Sequence, residues 1–304
     1  MDRKIMGLFM VFSIGVLMIS GCVSKEAKID ELRVTEPEET GGKVLKLGVQ
    51  PCWSPSNSFT MFSPLVDYLS EETGLDLKLV VVETEKEFHE TVKEVDFTLQ
   101  DAFSVYIHDK RIAALDPLVI AVSENGESEE RGAIIVRADS DIKSISDLRG
   151  KTFLFGGAHN APKFLAVFVT LKKFGVDPGN DLKSYDLGGD CSDNAMSVFL
   201  GEYDAGAVCK DFVEGEEGKG KFNFKTDLRV IAETVSVPNW MLTASENVDK
   251  DAVEKVKKAL LKISPESSLA EEVLEETEWG GFVRYSDELN KIDELVEKYA
   301  VPIK

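Results

Sequence analysis

From residue 44 to residue 50 the chain alternates. Leu45, Leu47 and Val49 stand against Lys46 and Gly48, a two-residue period that predicts a strand with one face buried. Phe59, Phe62, Leu65, Val66 and Leu69 then recur at three- and four-residue spacing. They share one face of a helix over 59–73 that Gly74 stops. Residues 77–82 read as a second strand. Thr84 with Glu87 three positions on is a capping box, opening a helix that runs to about Lys93. A third strand over 96–100 and a helix near Ser104 complete an α/β alternation.

The pattern then restarts. Asp147 to Lys151 is a turn into a strand over 152–155. A glycine loop follows, then a helix over 162–174 closed by Gly175. Residues 183–187 predict a strand, 194–200 a helix and 204–208 a strand. Asp96 and Asp204 each open a short apolar strand behind a helix, which predicts two lobes of similar plan. The β-rich run 132–137 and the segment 235–244 read as crossings between lobes. Helices over 249–263 and 287–299 are expected to pack on the first lobe. The predicted lobes are 44–134 plus 236–304, and 135–235, a design that closes about a hinge.

The N-terminus sets the compartment. Arg3 and Lys4 precede an uncharged stretch from Ile5 to Ser24, the layout of an export signal. Ile19-Ser20-Gly21-Cys22 resembles a bacterial-type lipobox, whose cleavage makes Cys22 the lipidated first mature residue. An uncleaved signal anchor is the alternative, since twenty uncharged residues are enough to span a bilayer. Both readings put the remaining chain outside the membrane. Residues 1–21 are thus read as signal and 22–43, acidic and broken by Pro37 and Gly41-Gly42, as a flexible tether.

The 304 residues carry a formal net charge of −20. That excludes nucleic acid and anionic lipid surfaces as partners, because both need Lys and Arg. The four cysteines are Cys22, Cys52, Cys191 and Cys209. The last three fall near the carboxyl ends of predicted strands. A Cys191–Cys209 disulfide and inert thiols both remain open. No CxxC or HxxxH spacing implies a metal, and no cofactor is expected. His89, beside Glu87 and Glu90, and His108, beside Asp109, read as solvated surface.

Several segments, in this order and spacing, resemble the phosphate/phosphite/phosphonate-binding proteins. They are Leu47-Gly48-Val49, Pro64 to Leu69 with Gly74, Val95-Asp96, Asp139 to Ser144 with Asp147 to Lys151, Asn194 to Val198, Asp204, and Trp279 to Val283. The resemblance runs over most of residues 44–285. It implies the type II periplasmic-binding-protein fold, two lobes with a hinge and an interlobe cleft. It also implies a small oxyanion ligand of the phosphonate, phosphite or phosphate class, an ABC permease as partner, and a monomeric, lipid-anchored, extracytoplasmic binder rather than an enzyme. The alternatives are a ligand-sensing subunit for a membrane receptor, or a pyrimidine- or menaquinone-pathway enzyme of the same fold. The chain lacks GxSxG, Walker and HExxH motifs.

In open α/β sheets ligands gather beyond the carboxyl ends of strands. That rule selects Trp53 and Ser54, then Gln100, Asp101 and Phe103, then His159, Asn160 and Ala161, then Asp193, with Lys210 a weaker candidate. The family's loop before the second-lobe helix carries Ser/Thr hydroxyls; here it reads His159-Asn160-Ala161. The helix start after it, with Pro162 in the first turn, predicts an anion contact through unpaired N–H groups, with Lys163 adding charge. Asn160 acting only as a helix cap is the other reading of this loop.

Overall fold

The alternating and all-apolar runs pair into two separate sheets in the computed structural model, which describes residues 43–215, 220–267 and 270–303. The export signal, Cys22 and all of the tether but Lys43 lie outside the described residues. The chain forms β1 (Leu45–Val49), α1 (Pro55–Thr73), β2 (Leu77–Val81), α2 (Glu85–Thr91), β3 (Phe97–Gln100), α3 (Ala102–Arg111) and β4 (Leu115–Ser123). The short β5 (Glu129–Glu130) leads into β6 (Gly132–Arg137), β7 (Thr152–Phe155), α4 (Ala166–Lys173), β8 (Ser184–Leu187), α5 (Cys191–Phe199), β9 (Ala205–Cys209), α6 (Lys210–Glu214) and β10 (Leu228–Glu233). The chain returns through β11 (Val237–Pro238) to β12 (Met241–Ser245), α7 (Lys250–Leu260), α8 (Glu271–Thr277), β13 (Trp279–Arg284) and α9 (Glu288–Tyr299).

The first sheet runs β13-β4-β12-β3-β1-β2 and the second β10-β6-β9-β7-β8. Their plans match: a parallel trio, β2-β1-β3 or β8-β7-β9, is followed by antiparallel strands. The two leading aspartates make the same contact in each. Asp96 Oδ2 accepts from Lys46 N–H at 2.9 Å, and Asp204 Oδ2 accepts from Thr152 N–H at 2.8 Å. β6, expected as a crossing, lies wholly inside the second sheet. The crossings are 124–131 and 234–240, and they pair with each other as β5 against β11.

Local boundaries shift where capping chemistry was underweighted. α1 begins at Pro55, four residues before the predicted start, because Ser54 accepts from Asn57 N–H and Pro55 fits the first turn. α5 begins at Cys191, three residues early, capped by Asp190 rather than Asp193. α9 packs on α3, α4 and β11, so it touches both sheets' helices instead of the first lobe alone. Tyr106 Oη donates to Asp293 Oδ1 at 2.7 Å across that contact. No helix among the described residues is long and apolar enough to cross a membrane.

Candidate functional site

The parallel strands of each sheet end at a common cleft, a cavity of about 570 Å³. Trp53 follows β1, Trp240 precedes β12 and Trp279 opens β13, and all three line it. They form one aromatic wall: ring centres stand 5.6 Å apart for Trp53–Trp240 and 6.3 Å for Trp240–Trp279, with Phe62 behind. Opposite them come residues of the second lobe, among them Lys163, Asp190, Cys191, Cys209 and Asp211. Among the described residues the lining holds seven carboxylates and a single cation, Lys163.

Lys163 is held firmly. Gly156 packs so closely that a Cβ there would sit 2.4 Å from Lys163 Cβ, and Lys163 Nζ donates to the Gly189 carbonyl at 2.8 Å. Burial disfavours its ammonium form, but Cys191, Cys209, Cys52 and Asp190 around it outweigh that and keep the proton on. Cys191 is drawn down to about 7, first by a hydrogen bond from Cys209 and, against burial, by Lys163. Cys52 is raised well above an ordinary thiol by burial and neighbouring charge, and Cys209 by its hydrogen bond with Cys191 and then by burial. All three thiols are free, so the Cys191–Cys209 bridge is not formed here; Cys209 N–H donates to Cys191 Sγ at 3.0 Å instead. On the crossing strand, Glu130 turns a buried carboxylate oxygen without a hydrogen-bond partner toward this cavity. Burial, then Asp101 and Asp211, raise its pKa well above the usual carboxylate range.

The predicted anion contact is occupied by the protein itself. Asn160 N–H donates to the Gly157 carbonyl, Ala161 N–H to Asp101 Oδ2 at 3.1 Å, and Lys163 N–H to Asn160 Oδ1 at 2.8 Å. Pro162 has no N–H. Asn160 is therefore the cap of a π-turn over Ala161–Leu165, and that turn's first amides are already paired. Asp101 caps α3 through Phe103 and Ser104 N–H and reaches the other lobe through Ala161. Burial lifts its pKa to about 7, against the lowering effect of those N–H bonds.

The histidines overturn the surface reading. His108 is fully buried and His159 nearly so, and both meet His89. His108 sits four residues after Ser104, on a helix buried all round from Ala102 to His108 because it lies between the lobes. A single acidic neighbour in sequence, Asp109, says nothing of that face. Burial, then His89 and His159, hold His108 down to about 3, so it is neutral.

Of the predicted ligand residues, Trp53 and Asn160 line the cavity. Gln100 and Asp101 lie beneath it, fully buried. Phe103 is core, its ring 6.3 Å from Phe164. Ser54 is an exposed helix cap and Asp193 an exposed first-turn residue whose N–H donates to Asp190. Lys210 faces Glu214 and Glu233 instead. Trp240, Trp279 and Glu130 were missed, because they enter from crossings and a late strand that the carboxyl-end rule does not select; Asp211 lies past the carboxyl end of β9, where the rule was applied to its neighbour Lys210 instead.

Residues 47–289 match the family described as the periplasmic phosphonate substrate-binding protein of ABC transporters. No curated protein matches the chain by sequence. Among solved structures, a binding-protein component of an ABC phosphonate transporter from Pseudomonas aeruginosa shares 18% identity. The alignment covers 85% of this chain and 87% of that one, with a TM-score of 0.73. The Prochlorococcus marinus protein PhnD1 in complex with methylphosphonate shares 17%, over 86% and 99% of the two chains, with a TM-score of 0.74. A Xanthomonas citri protein bound to ATP shares 20% over 86% and 99%, with a TM-score of 0.71. At these identities the likeness is one of fold: two lobes about a cleft.

Proposed function

Since the chain belongs to the family of periplasmic phosphonate-binding proteins of ABC transporters, we propose that it captures a small zwitterion, an oxyanion that also carries an amine, and delivers it to an ABC permease. One observation carries the ligand class. A cavity with a single cation, Lys163, is faced by three tryptophans and by the partnerless Glu130 oxygen. An oxyanion alone would meet one cation and seven carboxyl groups. A ligand with both charges places its oxyanion on Lys163 and its ammonium against the aromatic wall and Glu130. Cation–π contact with an indole contributes roughly 0.5–2 kcal/mol, and a hydrogen bond to a charged group about 1.5–3 kcal/mol. The role is that of a transport binding protein rather than an enzyme. Exported location follows from the family, and lipid attachment at Cys22 is our reading of Ile19-Ser20-Gly21-Cys22. Expressed in a lipidating host, Cys22→Ser should lose membrane retention; equal retention and mass in both forms would refute the anchor.

Calorimetry with methylphosphonate and with an aminoalkylphosphonate tests the ligand class. The amino compound is expected to bind at least about 10-fold tighter, by the charged hydrogen bond it adds. Lys163→Met should weaken both ligands, and Glu130→Gln should remove most of the difference between them. Equal affinity for the two compounds in the wild type would rule out the zwitterion reading.

A further inference from the structure

The chain has three histidines, and the fold brings all three together from distant positions. His89 comes from α2, His108 from α3 and His159 from the loop before the π-turn of the second lobe. One ring nitrogen from each lies within 4.8 Å of the others. His89 Nε2 and His159 Nδ1 are 3.1 Å apart. We propose that these three imidazoles form a binding site for a zinc-type divalent metal ion, with Glu85 as a fourth, oxygen ligand, and that the bound ion ties the two lobes together.

Two further features point to a ligand rather than to packed core. His108 Nδ1 lies 2.6 Å from Gln100 Oε1. That oxygen is an acceptor, since the same amide donates through Nε2 to Thr98 Oγ1 at 2.8 Å. The proton of His108 is therefore on Nδ1, and Nε2 carries a lone pair. Nε2 is buried and has no hydrogen-bond partner. Buried polar atoms are rarely left so. An imidazole whose far nitrogen donates to a fixed oxygen while the near one faces inward is the usual posture of a metal-bound histidine.

Glu85 repeats the arrangement. Its Oε1 accepts from Gln50 Nε2 at 3.1 Å, while Oε2 is buried without a hydrogen-bond partner, 3.6 Å from His159 Nδ1. Gln50 in turn accepts from Asp101 N–H at 2.9 Å, so the carboxylate is oriented by a group that is itself held. Neutral imidazoles with one carboxylate suit zinc, copper or nickel rather than calcium or magnesium. Ligand nitrogens around a tetrahedral zinc ion stand roughly 3.4 Å apart, from bond lengths near 2.0–2.1 Å. The ring nitrogens, 3.1 Å apart for His89 and His159 and all within 4.8 Å of one another, stand on the scale of that spacing. The site lies apart from the aromatic cavity, whose lining includes none of the three histidines.

The test is calorimetry of Zn²⁺ binding to the metal-stripped protein, with all four cysteines, Cys22, Cys52, Cys191 and Cys209, replaced by Ser so that thiols cannot hold the ion. One Zn²⁺ per chain is expected, with a raised melting temperature. His89→Gln is the first variant, because His89 is only half-buried and its loss should leave the fold intact, checked by the melting of the metal-free protein. It should weaken zinc at least 100-fold and abolish the zinc-induced rise in melting temperature. Gln100→Leu, which removes the group orienting His108, should weaken it about 10- to 100-fold. Absence of zinc binding in the thiol-free protein would overturn the proposal, as would affinity unchanged in both His89→Gln and His159→Gln.

Discussion

Glu130 is a carboxyl of the cleft whose ionisation burial opposes. Its pKa is raised above the ordinary value of 4.5 by burial, Asp101, Asp211 and Cys191, with Lys163 the opposing influence. The folded protein therefore keeps a proton that the unfolded chain releases. Stability from this group is complete below about pH 4.5 and is lost as pH rises through the folded pKa, at about 1.4 kcal/mol per pH unit within that window. Glu130→Gln cannot titrate, so its unfolding free energy should gain on the wild type as pH climbs from 4 toward 8. Denaturant titrations at several pH values measure this, and a difference constant with pH would mean that the carboxyl ionises normally. Residue-level chemistry was only partly legible in the sequence. Trp53 and the helix cap at Asn160 follow from local rules. The histidine cluster does not, because His89, His108 and His159 meet through tertiary packing. One signal was available: the chain's only two glutamines, Gln50 and Gln100, are the residues that orient Glu85 and His108.

Elements were more legible, because periodicity and capping are local. The capping box at Thr84 and the close at Gly175 stand where the pattern put them, and the strand predicted over 44–50 forms over Leu45–Val49. Starts slipped where Ser54 and Asp190 nucleate helices ahead of the apolar stripe. The paired aspartates show one device used twice. Asp96 fastens the start of β1 and Asp204 the start of β7, the latter accepting from both N–H and Oγ1 of Thr152. The bond from a backbone amide to the carboxylate, common to both, is worth about 1.5–3 kcal/mol. Asp204→Ala should cost about that much, and Asp96→Ala a similar amount. The two sit in separate sheets with no shared partner, so the double variant should be additive within roughly 0.5 kcal/mol. Urea unfolding of the three variants decides it. A deficit well beyond the sum would show that the sheets unfold as one coupled unit at these ends.

At the scale of the whole molecule, the two lobes meet in two different ways. On one side β5 and β11 pair, and Glu129 is fastened to Ser236 and Lys291 around α9. On the other, Phe103 of α3 packs on Phe164 of the second lobe, and beside that apolar contact stand polar groups that a hinge can part: Asp101 Oδ2 with Ala161 N–H, and His89 with His159. Two lobes were legible from the restarted α/β pattern, whereas this closing contact was not, since it joins residues sixty positions apart. Asp101 is the useful probe. One of its oxygens, Oδ1, caps α3 through Phe103 and Ser104 N–H, and the other, Oδ2, reaches across the cleft. In Asp101→Asn the amide oxygen keeps the cap, but its NH₂ then faces the Ala161 N–H, donor against donor. Losing that bond and leaving a buried donor unpaired costs about 1–3 kcal/mol, and the cost falls on the closed form alone. A shift of that size moves the closed-to-open ratio by roughly 5- to 150-fold. Small-angle scattering without ligand should therefore give a larger radius of gyration for Asp101→Asn than for the wild type. Saturating ligand should bring the two together, at a higher ligand concentration for the variant. Equal radii without ligand, with the α3 cap intact by its melting behaviour, would mean that the Asp101–Ala161 bond does not hold the lobes closed and that closure rests on the apolar contact of Phe103 with Phe164.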